Sequence, residues 1–356
     1  MILKEIEAFR LAVPLRETYN LSYKSLSHFY SVVVIIRNDE REVYGESKAG
    51  IGYFWESEEE AWQFVLYHAP KILGMDPKTA FDKMLPFHIP NPCSSTSMLT
   101  ALEQLFSSIL DPPDEIRRIQ ISGLVSAFKK ERIREQVERL INQGFSVFKV
   151  KVGKSIKEDI ARVNFISEVV SARGKLRIDA NQGYSLDDAR LFVREINPQN
   201  VESFEQPFKP KEWDNFVALS NDSPIPIMMD ESIYSEEDLF EVIRLRCAKL
   251  VKFKLMKVGS AKLLLDYIRI CQENGVEVVL GNGACCDIGD YHEALLSQRS
   301  LTNAGDMNGF LKIETSLLEE PIPYEQGKIE LRPDYRIKLN RKLMEKYKVD
   351  YRKWGI

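Results

Sequence analysis

The sequence predicts an α/β protein: a (β/α) barrel of the TIM type under an α+β capping domain. Three observations point there. From about residue 118 onward, β-rich runs alternate with helical patterns roughly every 25 residues, as parallel strands joined by crossover helices require. The first hundred residues lack this alternation and place strands first and helices afterwards, an α+β order. Finally, the apolar runs of the alternating part end in charged residues at one-unit spacing. A length of 356 residues accommodates both parts. The expected division is 1–117 for the cap, 118–326 for the barrel and 327–356 for a segment returning to the cap.

In the capping part, strand-like runs cover 6–13, 30–37 and 42–49, and helical stretches cover 58–73 and 98–110. The barrel part holds eight β-rich runs, at 119–125, 145–152, 176–179, 201–205, 225–230, 250–255, 276–280 and 301–304. After the first, Ile133, Val137, Leu140 and Ile141 share one helical face, and Gly144 stands where a helix-ending glycine belongs. After the second, Ile156, Ile160, Val163, Ile166 and Val170 do the same, with Gly174 as the closing glycine. A doubly wound open sheet would also explain the alternation; the chemistry at the strand ends decides for the barrel. The tail has strand character at 329–331 and 335–339, which a completed barrel does not use.

Composition narrows the function. Hydrophobic residues make up 44% and charged residues 29%, ordinary for a globular chain with a sizeable core. Lys plus Arg total 49 against 53 Asp plus Glu, so no basic excess favours nucleic acid. No apolar run approaches the roughly 18 residues of a membrane span, and residues 1–6 lack the basic-then-apolar order of a signal peptide. Five cysteines without CxxC spacing read as reduced thiols in a cytoplasmic protein. A small-molecule partner is expected, without nucleic acid or membrane, in a homo-oligomer.

Active sites of such barrels lie at the carboxyl ends of the strands. Those ends read Lys149-Val150-Lys151, Asp179-Ala180-Asn181, Glu205-Gln206-Pro207, Asp230-Glu231-Ser232 and Lys252-Phe253-Lys254. Asp179, Glu205 and Asp230 would converge from adjacent strands with a lysine on either side. Three desolvated carboxylates repel one another, and a hard divalent cation with oxygen ligands resolves the conflict. Mg²⁺ suits that donor set, with Mn²⁺ as a substitute, and no Cys or His at these positions calls for zinc. Beside such an ion, lowered amine pKa values would let Lys151 and Lys254 act as bases near neutral pH. Asn181 and Glu231 adjoin the carboxylates and are expected to support them.

With these segments the sequence resembles the enolase superfamily, in particular the muconate lactonizing enzyme subgroup. The matching stretches are Phe148-Lys149-Val150-Lys151-Val152-Gly153, Arg177-Ile178-Asp179-Ala180-Asn181-Gln182-Gly183, Phe204-Glu205-Gln206-Pro207, Met229-Asp230-Glu231-Ser232 and Lys254-Leu255-Met256-Lys257. The resemblance covers nearly the whole chain and implies an enolase-like modified barrel. It implies Mg²⁺ on Asp179, Glu205 and Asp230, Lys151 and Lys254 as acid and base flanking the substrate α-carbon, and Lys149 as an assistant. A lysine on each face of an enediolate gives racemisation or epimerisation; the same intermediate serves a cycloisomerase or a β-eliminating synthase or dehydratase. A barrel retained only for binding would have lost one of these residues, and none is lost.

Lys254-Leu255-Met256-Lys257 looks like the dipeptide epimerases, which also carry Asp-x-Asp on the eighth strand. Here that position reads Asp306-Met307-Asn308, one charge short. The resemblance makes Asp306 and Asn308 candidates for the far end of a small carboxylate substrate, an amino-acid derivative or a dipeptide. Asn282 after the seventh strand, with Arg16, Tyr19 and Tyr53 in the capping loops, complete the candidate substrate contacts. Cys285 and Cys286 read as packing residues, and His292 as a surface or core histidine inside a helix.

Overall fold

The structure is a computed structural model that describes residues 2–20, 25–50, 55–282, 284–299 and 301–356. Its cap is a four-stranded antiparallel sheet in the order Lys348–Gly355, Glu5–Asn20, Ser25–Arg37, Glu42–Ser47. The unbroken apolar run 32–36 follows from burial of both sheet faces. Val32, Val34 and Ile36 join the cap's own core with Trp62, Val65 and Leu99. Val33 and Ile35 point the other way, into the larger core that also fills the barrel. The strand Lys348–Gly355, which sequence patterning did not reveal, pairs along Glu5–Asn20.

Two helices of the cap differ in legibility. Glu58–Ile72 forms where expected and starts in a capping box between Ser57 and Glu60. The second spans Pro92–Glu103 rather than 98–110, and every residue of it is buried. Its first turns, Cys93-Ser94-Ser95-Thr96-Ser97, carry no apolar periodicity because they are small rather than greasy. Small side chains let the helix lie against the sheet: a Cβ on Gly45 would come within 1.9 Å of the Ser97 carbonyl oxygen. The Glu56 carboxylate fixes the start, accepting from the Cys93 and Ser94 backbone N–H groups at 2.8 and 2.9 Å.

Among the described residues the barrel has seven parallel strands, Gly123–Val125, Val147–Lys151, Lys175–Asp179, Val201–Glu205, Ile227–Met229, Leu250–Phe253 and Glu277–Leu280, each hydrogen-bonded to the next. The eighth run is reduced to a bridge: Gly305 pairs with Ile121, and Asp306 N donates to Leu280 O at 2.8 Å, closing the circle. The first run is split. Arg117–Gln120 pairs outside the barrel with Lys328–Leu331 before Gly123–Val125 enters it. Residues 335–339 form no ladder strand; Leu339 makes one bridge to Leu318 and Tyr335 donates its hydroxyl to Glu320 O.

Crossover helices join consecutive strands, and Lys130–Asn142 ends before Gly144 at φ +85°, as expected. The helix Ile156–Val170 instead stops at Ser171, and Gly174 is extended. That glycine is needed for space, since a Cβ there would lie 2.5 Å from both Phe148 Cε2 and Ser146 O. All five cysteines are unpaired and buried. No helix among the described residues is long and apolar enough to cross a membrane.

Two cap glutamates seat the cap on the barrel. Glu46 accepts from Cys286 N at 2.8 Å and Gly289 N at 2.9 Å, at the start of the helix Asp287–Ser297. Glu103 accepts from Ser260 Oγ and Ala261 N at 2.7 Å and from Lys262 N at 3.0 Å, at the start of Ala261–Glu273. A carboxylate at a helix start meets unpaired N–H donors and the positive end of the dipole.

His292 lies in the core inside Asp287–Ser297, and burial lowers its imidazole pKa to about 4. The unfolded chain therefore binds one more proton than the folded chain between pH about 6.5 and 4, and stability falls as pH drops through that window. The loss from this residue amounts to about 3 kcal/mol. His292→Gln should flatten the acid side of the stability profile, read by urea unfolding at pH 7 and pH 4.5; parallel profiles would remove His292 from acid sensitivity.

Candidate active site

Alternate residues of a strand face the same way, so Lys149 and Lys151 both point into the barrel. Register sets two levels: Lys151, Asp179 and Glu205 are lateral neighbours near the mouth, and Lys149, Arg177 and Ser203 lie a layer deeper. Asp230 follows the fifth strand directly, and Lys254 follows the sixth as N-cap of the short turn Leu255–Val258.

The carboxylates are met by ammonium groups. Lys149 Nζ contacts Glu205 Oε2 and Asp179 Oδ2 at 2.8 Å and Asp306 Oδ2 at 2.9 Å. Lys151 Nζ donates to Asp179 Oδ2 at 2.5 Å and Asn181 Oδ1 at 2.6 Å. Lys254 Nζ donates to Asp230 Oδ2 at 2.7 Å, while Lys257 reaches Asp230 Oδ1 at 3.1 Å. Asn181 also donates to Glu231 Oε1 at 3.0 Å, and Glu231 Oε2 is buried without a hydrogen-bond partner.

Burial and mutual repulsion shape the protonation of this set. Burial, then Asp179, pushes the Glu205 carboxyl up. Burial, then Asp230, pushes Glu231 up to about 7. Asp179 and Asp230 are held low against burial by the lysines beside them. Burial lowers Lys254 to about 8 despite Asp230, helped by Lys252 and Lys257. Lys151 differs from Lys254: burial lowers its amine, but Asp179, Tyr19 and Glu205 together outweigh burial and Lys149, and the pKa is raised.

Among the described residues no three His, Cys, Asp or Glu side chains stand at metal-ligand spacing. Lys149, Lys151 and Lys254 supply the positive charge within the carboxylate set instead. The donor chemistry nevertheless suits a hard divalent cation. Asp179, Glu205 and Asp230 stand at the ends of adjacent strands, they repel one another, and an orphaned Glu231 oxygen lies among them.

These groups open into a cavity of about 110 Å³. Lys149, Lys151, Asp179, Asp230 and Lys254 line its base, and Tyr19, Lys48 and Lys312 line its cap side. Asn282 lines it too, its amide oxygen accepting from Ala284 N at 3.0 Å. Asn308 donates to Ser122 O at 3.0 Å and accepts from Lys312 Nζ at 2.6 Å. Arg16 is exposed and absent from the described lining; its Nε donates to Ile313 O at 2.8 Å, tying the cap to the chain beyond the eighth strand. Tyr53 lies outside the described residues.

Asp306 borders the cavity but is already ligated. Oδ1 accepts from Ser122 and from Arg177 Nη1 at 2.9 Å, and Oδ2 from Lys149 and Lys252. Those cations hold its carboxyl well below the usual range against burial. Sequence reasoning missed Arg177, Lys48 and Lys312 as contributors. It also missed Glu293, whose Oε1 accepts from Leu255 N at 2.7 Å and so fixes the backbone beside Lys254.

A closed parallel barrel, a sheet cap and facing lysines around a carboxylate arc define an enolase-type (β/α) barrel. The chain belongs to the enolase C-terminal domain-like family, whose model matches residues 132–335. It is 25% identical over 344 residues to the N-succinyl-L-Arg/Lys racemase of Bacillus cereus, covering 91% of this chain and 92% of that one. It is 27% identical over 294 residues to the L-Ala-D/L-Glu epimerase of Clostridium acetobutylicum, covering 79% and 82% respectively. In fold it matches the muconate lactonizing enzyme of Pseudomonas fluorescens at a TM-score of 0.87 and 21% identity, over 98% of this chain and 99% of that one.

Removing one partner of a buried ion pair strands the other, typically at about 3–5 kcal/mol. Arg177 is fully buried and pairs with Glu202 and Asp306. Arg177→Met should therefore lower the unfolding free energy by that amount, read as a fall in the urea midpoint, and adding Asp306→Asn should restore part of it. An unchanged midpoint in the single variant would show that the deep charges do not hold the barrel together.

Proposed function

We propose that this protein is an isomerase that removes and returns the α-proton of a small carboxylate substrate through an enediolate. We read it as a racemase or epimerase of an amino-acid derivative or a dipeptide. The carrying observation is that Lys151 and Lys254, from the second and sixth of eight barrel positions, line one cavity. Strands four apart in an eight-stranded barrel face each other, so the two amines can address opposite faces of one carbon. The relatives' activities, racemisation and epimerisation, are the two outcomes such a pair allows.

Asp179, Glu205 and Asp230 would hold Mg²⁺, with Mn²⁺ as a substitute, and Asn181 and Glu231 would brace Asp179 and Asp230. Bound there, the ion would neutralise the substrate carboxylate and lower the energy of its doubly negative conjugate base. Lys254, its amine lowered to about 8, has a neutral fraction able to accept a proton near neutral pH. Lys151, held as ammonium by Asp179, is set to donate one on the other face. Lys149, on the second strand, would hold the carboxylates of the third, fourth and eighth positions in register. The reading divides the chain into cap 1–117, barrel 118–326 and return 327–356, supported by the pairing of Lys348–Gly355 with Glu5–Asn20. Reduced, buried cysteines support a cytoplasmic setting.

The test incubates N-acyl amino acids and dipeptides with the Mg²⁺-loaded protein in D₂O, following the α-proton by NMR and configuration by polarimetry. Lys151→Ala and Lys254→Ala should each lower racemisation by about 10²–10⁴-fold, with exchange surviving from one enantiomer in at least one variant. Full activity in either variant would overturn the assignment.

Lys254 accepts a proton only when neutral, and its neutral fraction grows with pH. The rate in that direction should rise with pH and level off above about 8. A pH-independent rate, or activity unaffected by a chelator, would contradict this assignment of base and ion.

A further inference from the structure

We propose that each of the two facing lysines has its own main-chain lock: Arg162 holds the strand end that carries Lys151, and Glu293 holds the turn that carries Lys254. Each is a positioning residue for proton transfer on one face of the substrate α-carbon. This rests on the carboxylate-isomerase reading and adds to it the groups that place its acid and base.

Lys151 is the last residue of the second strand. From the helix Ile156–Val170, Arg162 donates through Nη1 to Lys151 O at 2.7 Å and through Nη2 to Val125 O at 2.8 Å. Its Nε donates to Ala127 O at 2.9 Å, and the Phe128 ring centre lies 4.6 Å from the guanidinium carbon. One planar fork thus ties the ends of the first and second strands through their carbonyls. One turn earlier on the same helix, Asp159 Oδ2 accepts from the N–H groups of Gly153, Lys154 and Ser155 at 2.9, 3.1 and 3.2 Å. It also accepts from the Tyr184 hydroxyl at 2.9 Å. The chain leaving Lys151 is therefore held by its carbonyl and by the amides that follow.

Lys254 precedes the four-residue turn Leu255–Val258 and gives it no side-chain cap. The N–H that opens this turn, at Leu255, is met by Glu293 Oε1 at 2.7 Å, from the helix Asp287–Ser297. Glu293 Oε2 is buried without a hydrogen-bond partner. An ionised carboxylate with one bare oxygen is costly in such a place, and burial pushes the Glu293 carboxyl up to about 8. At neutral pH it is mainly the neutral acid, whose carbonyl oxygen still accepts from Leu255 N. Glutamine can replace it as an acceptor; leucine cannot. The two locks share no residue, and each acts on one lysine. A misplacement of about 1 Å at a reacting group costs about 10²-fold in rate, so each lock controls one direction of proton removal.

The test follows α-proton exchange by NMR in D₂O with the Mg²⁺-loaded protein. The probes are N-acetyl-L-alanine, N-acetyl-D-alanine, L-Ala-L-Ala and L-Ala-D-Ala, scored by configuration at the carbon beside the carboxylate. Lys151→Ala and Lys254→Ala identify the configuration that each amine serves. Arg162→Met should lower exchange from the Lys151 configuration about ten-fold or more and leave the other within about two-fold. Glu293→Leu should do the opposite. Arg162→Lys and Glu293→Gln, which keep a donor and an acceptor respectively, should retain most of the exchange. Amide hydrogen exchange read by mass spectrometry is independent of activity. Protection should fall at 151–155 in Arg162→Met and at 254–258 in Glu293→Leu, each without the other. Equal losses from both configurations in each variant, or unchanged protection in both variants, would overturn the inference. If the parent protein exchanges no probe, the isomerase reading falls, and amide protection alone decides whether the locks stand.

Discussion

The Lys149 ammonium is the interaction on which the barrel mouth depends. Its contacts to Asp179, Glu205 and Asp306 join strands three, four and eight to strand two, at the buried base of the cavity. A charge so buried is tolerable only among opposite charges with their hydrogen bonds satisfied. Hence the neighbouring layer is ionic as well: Lys252 repeats the link to Glu205 and Asp306, and Arg177 ties Asp306 to Glu202. The barrel interior is thus a lattice of paired ions near the mouth, where other barrels place packed aliphatics. Such a lattice stabilises modestly and specifies geometry strongly, which suits groups that must face a substrate from fixed directions.

The same lattice divides labour along the barrel axis. Deep charges are fully compensated, whereas Lys151 is the most exposed of the linked lysines. Burial lowers both facing amines, and the neighbours decide whether it prevails. At Lys254, Asp230 is opposed by Lys252 and Lys257 and burial prevails; at Lys151, Asp179, Tyr19 and Glu205 together prevail. Two residues of one type thus acquire opposite proton affinities from burial and neighbours together.

Much of this was legible in the sequence. A charged residue after each apolar run, repeated at one-unit spacing, located Lys149, Lys151, Asp179, Glu205, Asp230 and Lys254 at one mouth, because parallel strands align their ends. Arg177 was not legible: it sits inside a strand, where pattern alone cannot tell an inward ion from an edge residue. Lys312 follows no motif and reaches the cavity only because the chain after Asp306 makes a short turn, Gly309–Leu311, instead of an eighth helix. What holds Asp306 was not legible either: its partners Ser122, Lys149, Lys252 and Arg177 are far apart in sequence. The first turns of helix Pro92–Glu103 escaped because their buried residues are small and polar and carry no apolar periodicity, and Gly174 serves close approach rather than a helix end.

The seating of the cap has a consequence for how such a protein can change. Glu46 and Glu103 grip the barrel mainly through main-chain N–H groups at helix starts, at Cys286, Gly289, Ala261 and Lys262. A main-chain donor is supplied by any residue except proline, so most substitutions in those barrel helices leave the grip intact. The joint is therefore largely blind to sequence on its barrel side. Tyr19 and Lys48 ride on the part that grips, while the lysine pair and the carboxylate arc ride on the part that is gripped. The chain can thus alter what it selects and what it does to it as nearly independent traits, each drifting without unseating the other.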